Sequence, residues 1–321
     1  MIWLTWRQHR RQAVFALAGL LALAAFVVPT GLRMRSSFTQ LGLSSCVASM
    51  GNGRFLPDSF TNSCGEAIRS FTGSYSSVGS ISVLLIFLPL LAGIFWGAPL
   101  VAREVEHGTH RLVWTQGVSR GQWAVAQFGL VGAGSVLVAL VFGLGVSWWM
   151  APLHAVGIPR LDTFNFDVGG IAPVGYTLFA VALGIAAGTI WRRTLPAMAA
   201  ALVTFVTVRV LVAGLARPRF ATPIQLAIPV DQPNPSLNPV HGDWVQSMAI
   251  KSADGRVLMD HASTVCNPDS PDCGSMAGAL NTVSYQPGDR YWWFQGIETG
   301  LFVALALLLC ALALQRVRRI A

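Results

Sequence analysis

Two ionisable residues stand inside otherwise apolar runs: Arg209 in TFVTVRVLVAG and Glu298 in WWFQGIETGLF. Translocon scales put an arginine at the centre of a spanning helix at about +2.5 to +3.5 kcal/mol, so such residues mark a pair, a polar path or chemistry. Counted from the basic ends of their runs, both fall in the same half of a bilayer, which makes an ion pair between neighbouring helices geometrically possible. Three readings follow. The pair is a polar element of a translocation path or its outer gate. Or it is structural, either a neutralised pair that fixes packing or an arginine snorkelling outward toward Arg217 and the headgroups. Or it serves an intramembrane enzyme.

Other chemistry is excluded by residue type and spacing. A phosphate-binding loop needs a glycine-rich turn and a lysine that reaches the phosphates. The single lysine, Lys251, lies in AIKSADG, so the chain cannot hydrolyse ATP in that way. There is no H-E-x-x-H pair, and His107 with His110 has no third ligand at a useful spacing, so no metal site is expected. No G-x-S-x-G elbow occurs either.

The elements that must position Arg209 and Glu298 are membrane spans. Mean hydropathy is +0.56, with 53% hydrophobic and 11% charged residues, far below the roughly 25% charge of soluble domains. Six runs approach or exceed the ~18–20 residues needed to cross the hydrocarbon as helix, at 13–30, 78–102, 127–150, 173–190, 197–214 and 294–314. They predict an all-α integral membrane protein of six transmembrane helices forming one transmembrane domain over 1–321. Outer loops are expected at 31–77, 151–172 and 215–293, with a cytoplasmic loop at 103–126. Arg7, Arg10, Arg11, Arg103, Arg111, Arg120, Arg192, Arg193, Arg316, Arg318 and Arg319 cluster on the short segments that face one side when both termini are cytoplasmic. The net charge of +8 then reads as topology and attraction to anionic membrane lipids, with no nucleic-acid partner. A signal peptide is the other reading of the first run, but no small-x-small cleavage site follows Pro29. Before it, MIWLTWRQHRR has the composition of a short helix lying in the headgroup region, or of a frayed aromatic-tipped terminus.

Cys46 and Cys64 fall in the first outer loop and Cys266 and Cys273 in the last, so the local pairs Cys46–Cys64 and Cys266–Cys273 are expected, with cross-loop bridges as the alternative. Cys310 sits alone in the sixth run. The outer loops read as lids; PVDQPNPSLNPV is breaker-rich, and neither large loop has the apolar periodicity of a separate globular domain. Small residues four apart, Gly93 with Gly97, Gly184 with Gly188 and Gly296 with Gly300, permit close helix approach within the chain or across a dimer.

The polar segment AREVEHGTHRLVWTQGVSR, residues 102–120, resembles the cytoplasmic signature of type-2 ATP-binding-cassette (ABC) exporter permeases, with Glu104, Glu106, Gly108, Thr109, Leu112, Ser119 and Arg120 in the recurring order. Gly117 stands where proline is usual, and Gln127 where a lysine often opens the third span. The resemblance implies a coupling helix seated in a groove of a separate ATPase subunit. Glu104, Glu106, His107, Gly108, Thr109 and Arg111 would make contact, and Ser119 and Arg120 would close the segment. Trp114 and Trp123 offer possible anchors, or ordinary interfacial tryptophans.

It further implies a permease subunit, not an enzyme by itself, working as a homo- or heterodimer with a second permease copy or paralogue. ATP and Mg would be bound by the partner, with no cofactor in this chain. The expected cargo is a lipid, drug or amphiphilic natural product. Arginine in place of lysine, with abundant Ala and Gly, suggests a high-GC, actinobacterial-like genome and hence a bacterial plasma membrane. The rival from another class is a membrane sensor or assembly protein whose outer loops bind a ligand without transport.

Overall fold

The computed structural model describes residues 2–49, 63–106, 120–191, 193–230, 242–262, 276 and 278–319. Among them, six helices are long and apolar enough to cross a membrane: Gln12–Gln40, Ser76–Glu104, Gly121–Ala155, Ala172–Trp191, Thr194–Arg219 and Gly288–Arg318. A helix satisfies its own backbone, which lipid cannot do, and each span outruns the apolar run that marks it. The first helix runs unbroken from Ile2 to Gln40, 39 residues or about 58 Å. The amino-terminal segment therefore continues the first span and forms neither a separate interfacial helix nor a frayed end.

The fourth span is the axis of the bundle. Its most apolar window is 83% buried, against 6% for the first span. The second span packs on it through glycines. A Cβ on Gly184 would lie 2.5 Å from the Gly93 carbonyl oxygen and 2.6 Å from the Ala98 nitrogen, and one on Gly97 would lie 2.4 Å from the Val181 carbonyl oxygen. Close approach of the two backbones thus depends on hydrogen side chains at these positions. Gly296 and Gly300 differ, since a Cβ there meets nothing within 4 Å. The second span is also broken. It comprises Ser76–Leu85, Leu88–Ala92, a π-turn over Gly93–Gly97, and Ala98–Glu106. Pro89, which has no N–H for the ladder, follows the break at Ile86 and Phe87.

The bundle has two distinct ends. At one, Arg10 is exposed on the first helix, Glu106 meets Thr194, and Gly121 lies beside the Arg318 side chain. At the other, the helix Leu43–Ser49 is joined to the helix Ser63–Ser74 by the Cys46–Cys64 disulfide. Leu43, Ile68 and Phe71 share a core there with Met34, Phe142, Trp149 and Leu153.

The segment between the fifth and sixth spans departs from the expectation of an irregular lid. It carries a four-stranded antiparallel sheet, β1 Ile224–Pro229, β2 Trp244–Lys251, β3 Val257–Asp260 and β4 Leu280–Gln286, in the order β1-β4-β2-β3. β4 buries Asn281, Val283 and Tyr285, the period-2 pattern of a strand. Such alternation lasts only a few residues per strand, and prolines and glycines separate the strands in sequence. The sheet is fastened to the bundle where Gln286 Nε2 donates to the Ala221 carbonyl at 2.6 Å and the Gly288 N–H to Asp243 at 2.8 Å. Phe220 also meets the Phe294 ring edge-on.

Candidate functional site

At the sheet end, four formally charged side chains meet inside the bundle: Asp167, Arg209, Arg217 and Glu298. Glu298 and Arg217 are fully buried, and Asp167 and Arg209 nearly so. Glu298 Oε1 accepts from Arg209 Nη1 at 2.9 Å, Arg217 Nη2 at 2.8 Å and the Tyr176 hydroxyl at 2.8 Å, while Oε2 accepts from Arg217 Nε at 2.8 Å. Asp167 Oδ1 accepts from Arg217 Nη2 at 2.5 Å, and its Oδ2 from Arg209 Nη2. Arg209 also stacks over the Tyr176 ring at 3.7 Å, and Arg217 over Phe166 at 4.2 Å. Two guanidiniums and two carboxylates cancel in formal charge, which is the condition for burial at this depth.

Each member is set by a local device. Arg209 and Arg217 are eight residues apart, which on a regular helix leaves them about 80° apart in azimuth. The π-turn Val212–Ala216 between them absorbs an extra residue and brings both onto one face. Asp167 is the penultimate residue of the short helix Thr163–Val168, and the chain then turns through Gly169 and Gly170 into the fourth span. Gly170 has φ +68°, and a Cβ there would lie 2.7 Å from both Gln295 Oε1 and the Tyr291 hydroxyl. Gln295, one turn before Glu298 on the sixth span, staples this turn. Its Oε1 accepts from the backbone N–H groups of Ile171 at 2.9 Å and Ala172 at 2.6 Å, and its Nε2 donates to the Phe166 carbonyl at 3.0 Å. Ser147 Oγ accepts from the Gly170 N–H at 2.7 Å.

Arg217 is thus no headgroup anchor toward which Arg209 snorkels; it lies inside the same cluster. Sequence reasoning missed Asp167 and Gln295 as well. Asp167 lies inside the expected outer loop 151–172 and Gln295 just past the end of the loop 215–293, and a lone acid in FNFDVGG gives no hint of a partner some 40 residues on.

A second candidate site lies at the opposite end. The helix Ala98–Glu106 carries Glu104, which is half-buried, and Glu106, which is exposed. Glu106 Oε2 accepts from the Thr194 N–H at 3.0 Å and from the Thr194 hydroxyl at 2.8 Å. Thr194 opens the fifth-span helix, whose own N-cap, Arg193, makes no side-chain capping bond. A carboxylate from the second span therefore caps the fifth, where helix N–H groups and the positive dipole end favour an anion. Arg120 begins the third-span helix. His107, Gly108, Thr109, Arg111, Trp114 and Ser119 lie outside the described residues, as do Cys266 and Cys273.

Trp123 is not available as an anchor for a partner. It is buried among Leu100, Val101, Val131, Ile185 and Val317. Three residues into its helix, it already faces the interior, where a large apolar ring gains most from burial.

Residues 17–217 match the model of a family described as ABC-2 membrane transporter related. No curated protein and no solved structure matches the chain. The matched region holds the second, third and fourth spans whole, most of the first and fifth, and Asp167, Tyr176, Arg209 and Arg217.

Proposed function

The chain belongs to the ABC-2 membrane transporter related family, a multi-pass transport permease, and from that premise we propose that it is the membrane subunit of an exporter driven by a separate ABC ATPase. The observation that carries this reading is the Glu106 carboxylate on Thr194. The second span ends where the polar loop begins, and its last side chain holds the first residue of the fifth span. The fifth span carries Arg209 and Arg217 at its far end.

A displacement of the loop by a closing ATPase would reach the fifth span through this cap and the buried charge cluster through the span itself. Coupling needs an element whose contacts differ between two states, and an exposed carboxylate cap can be broken at small cost. The cluster is the rigid outer anchor of the moving spans in this reading. Both termini and the loop between the second and third spans lie in the cytoplasm, the disulfide and the sheet lie outside, and the membrane is a bacterial plasma membrane. The unit is a homo- or heterodimer, and its cargo is a lipid or amphiphilic small molecule. ATP and Mg belong to the partner.

The test is purification of the tagged chain from its native membrane in mild detergent, with co-purifying proteins identified and ATP hydrolysis measured. A stoichiometric ATPase with vanadate-sensitive turnover supports the proposal. The chain isolated alone and inactive, under detergent conditions that preserve known complexes, favours a sensor or assembly protein. In the active complex, Glu104→Lys should uncouple substrate-stimulated hydrolysis without unfolding the permease, and unchanged stimulation would count against the loop's role.

A further inference from the structure

Against Gly169, at the end of the bundle that carries the sheet, lies a cavity of about 80 Å³, several times the ~10–15 Å³ that one water needs. Ser147 and His154 of the third span line it, with Arg160 and Asn165 from the segment that follows and Tyr291 and Trp292 from the sixth span. Its polar groups are unequally engaged. Ser147 Oγ is committed, since it donates to the Gly143 carbonyl at 2.7 Å and accepts from the Gly170 N–H. Asn165 and His154 each give one donor to a backbone carbonyl, that of Pro159 at 3.0 Å and that of Ile158 at 2.9 Å. Tyr291 is only 7% exposed, yet its hydroxyl has no hydrogen-bond partner among the described residues. Arg160 holds its guanidinium 6.0 Å from the centre of the Tyr291 ring and makes no ion pair among them. A hydroxyl kept from bulk water without a partner is costly, so it marks a place for one.

The uncommitted donors select an oxyanion. A guanidinium and a hydroxyl facing one small cavity suit a phosphate or carboxylate group, and no described carboxylate lines the wall. Asp162, two residues from Arg160, is not part of it, and Asp167 is held by Arg209 and Arg217. The level of the cavity narrows the choice. Trp292 in its wall is exposed, as is Trp148 on the third span, which stacks under the Arg35 guanidinium. Exposed tryptophans near the ends of spans sit at headgroup level, where phosphate groups are abundant. We propose that the cavity binds a phosphate group, a lipid headgroup's or a free one, with Arg160 supplying the charge and the Tyr291 hydroxyl a hydrogen bond. The site does not depend on the transport reading, since it concerns binding without turnover.

The delipidated full chain in neutral detergent is titrated with inorganic phosphate by calorimetry and, separately, with phosphatidylglycerol followed by native mass spectrometry. Arg160→Gln and Tyr291→Phe should each weaken binding roughly tenfold. Arg256→Gln, which removes an exposed arginine from the turn between β2 and β3, should leave it unchanged. A single size-exclusion peak and an intact Cys46–Cys64 disulfide show that each variant is folded, and Tyr291→Phe removes one oxygen without altering the ring. Saturable phosphate binding with this pattern and no phosphatidylglycerol binding identifies the site of a free anion. Phosphatidylglycerol binding with this pattern, displaced by inorganic phosphate, identifies the site of a headgroup. If neither probe binds, or if Arg160→Gln binds as tightly as Arg256→Gln, the cavity holds water only and the proposal fails.

Discussion

Glu298 is the residue on which most of the buried polar structure converges, because a single carboxylate answers both arginines and Tyr176. Removing it leaves two guanidiniums with Asp167 as their one carboxylate partner among the described residues. Loss of one partner from a buried pair typically costs about 3–5 kcal/mol, so Glu298→Leu should markedly lower the melting temperature of the detergent-solubilised protein followed by size exclusion. Arg209→Met in the same chain restores balance and leaves the Arg217–Asp167 pair, so the double variant should be more stable than Glu298→Leu alone. Strict additivity of the two losses would mean the residues act independently. Glu106 stands at the other extreme, exposed and at a helix end. Glu106→Ala should cost only about 1 kcal/mol, the usual worth of a cap, yet reduce substrate-stimulated ATP hydrolysis in the complex. Glu106→Asp should recover part of that stimulation, and full stimulation in the alanine variant would leave the cap a purely structural role.

At the scale of elements, the second and fourth spans form the tightest interface, and glycine makes it possible. Gly184→Val places new carbons on the backbone of Gly93 and Ala98 and should destabilise by at least about 1–3 kcal/mol, the range for overpacked interiors. Gly300→Val has open space and should leave the melting temperature nearly unchanged, so equal effects of the two would remove the packing argument. The helices Leu43–Ser49 and Ser63–Ser74 are joined by a bridge whose cysteines are 18 residues apart. Closing such a loop contributes about 3 kcal/mol in the chain-entropy model. Cys46→Ser should therefore lower stability, and the wild-type protein should lose the same increment on reduction.

For the whole molecule, the two ends differ in chemistry, and the difference fixes the expected orientation. Arg10, Arg316 and Arg318 gather at one end, while the disulfide and the sheet gather at the other. In intact cells, a cysteine placed at Lys251 on β2 should react with a membrane-impermeant maleimide. One placed at Arg316 should react only after lysis, and the reverse pattern would invert the topology.

Six spans were legible in the sequence because apolar length alone forces a helix in lipid, whatever its neighbours. The family resemblance was legible too, carried by a short polar loop between two apolar runs. Arg209 and Glu298 were visible as anomalies against their apolar surroundings. Asp167, Arg217 and Gln295 were not, since each lies near the end of a run where polar residues are ordinary. Only the tertiary structure gathers them, through a π-turn that rephases one helix, a left-handed glycine and a glutamine staple. The sheet escaped notice for a related reason: strands of four to eight residues become stable only when partners distant in sequence supply their hydrogen bonds. Hydrophobic length is a local property and can be read along the chain. Charge compensation and strand pairing belong to groups far apart in it, and folding alone decides which of them meet.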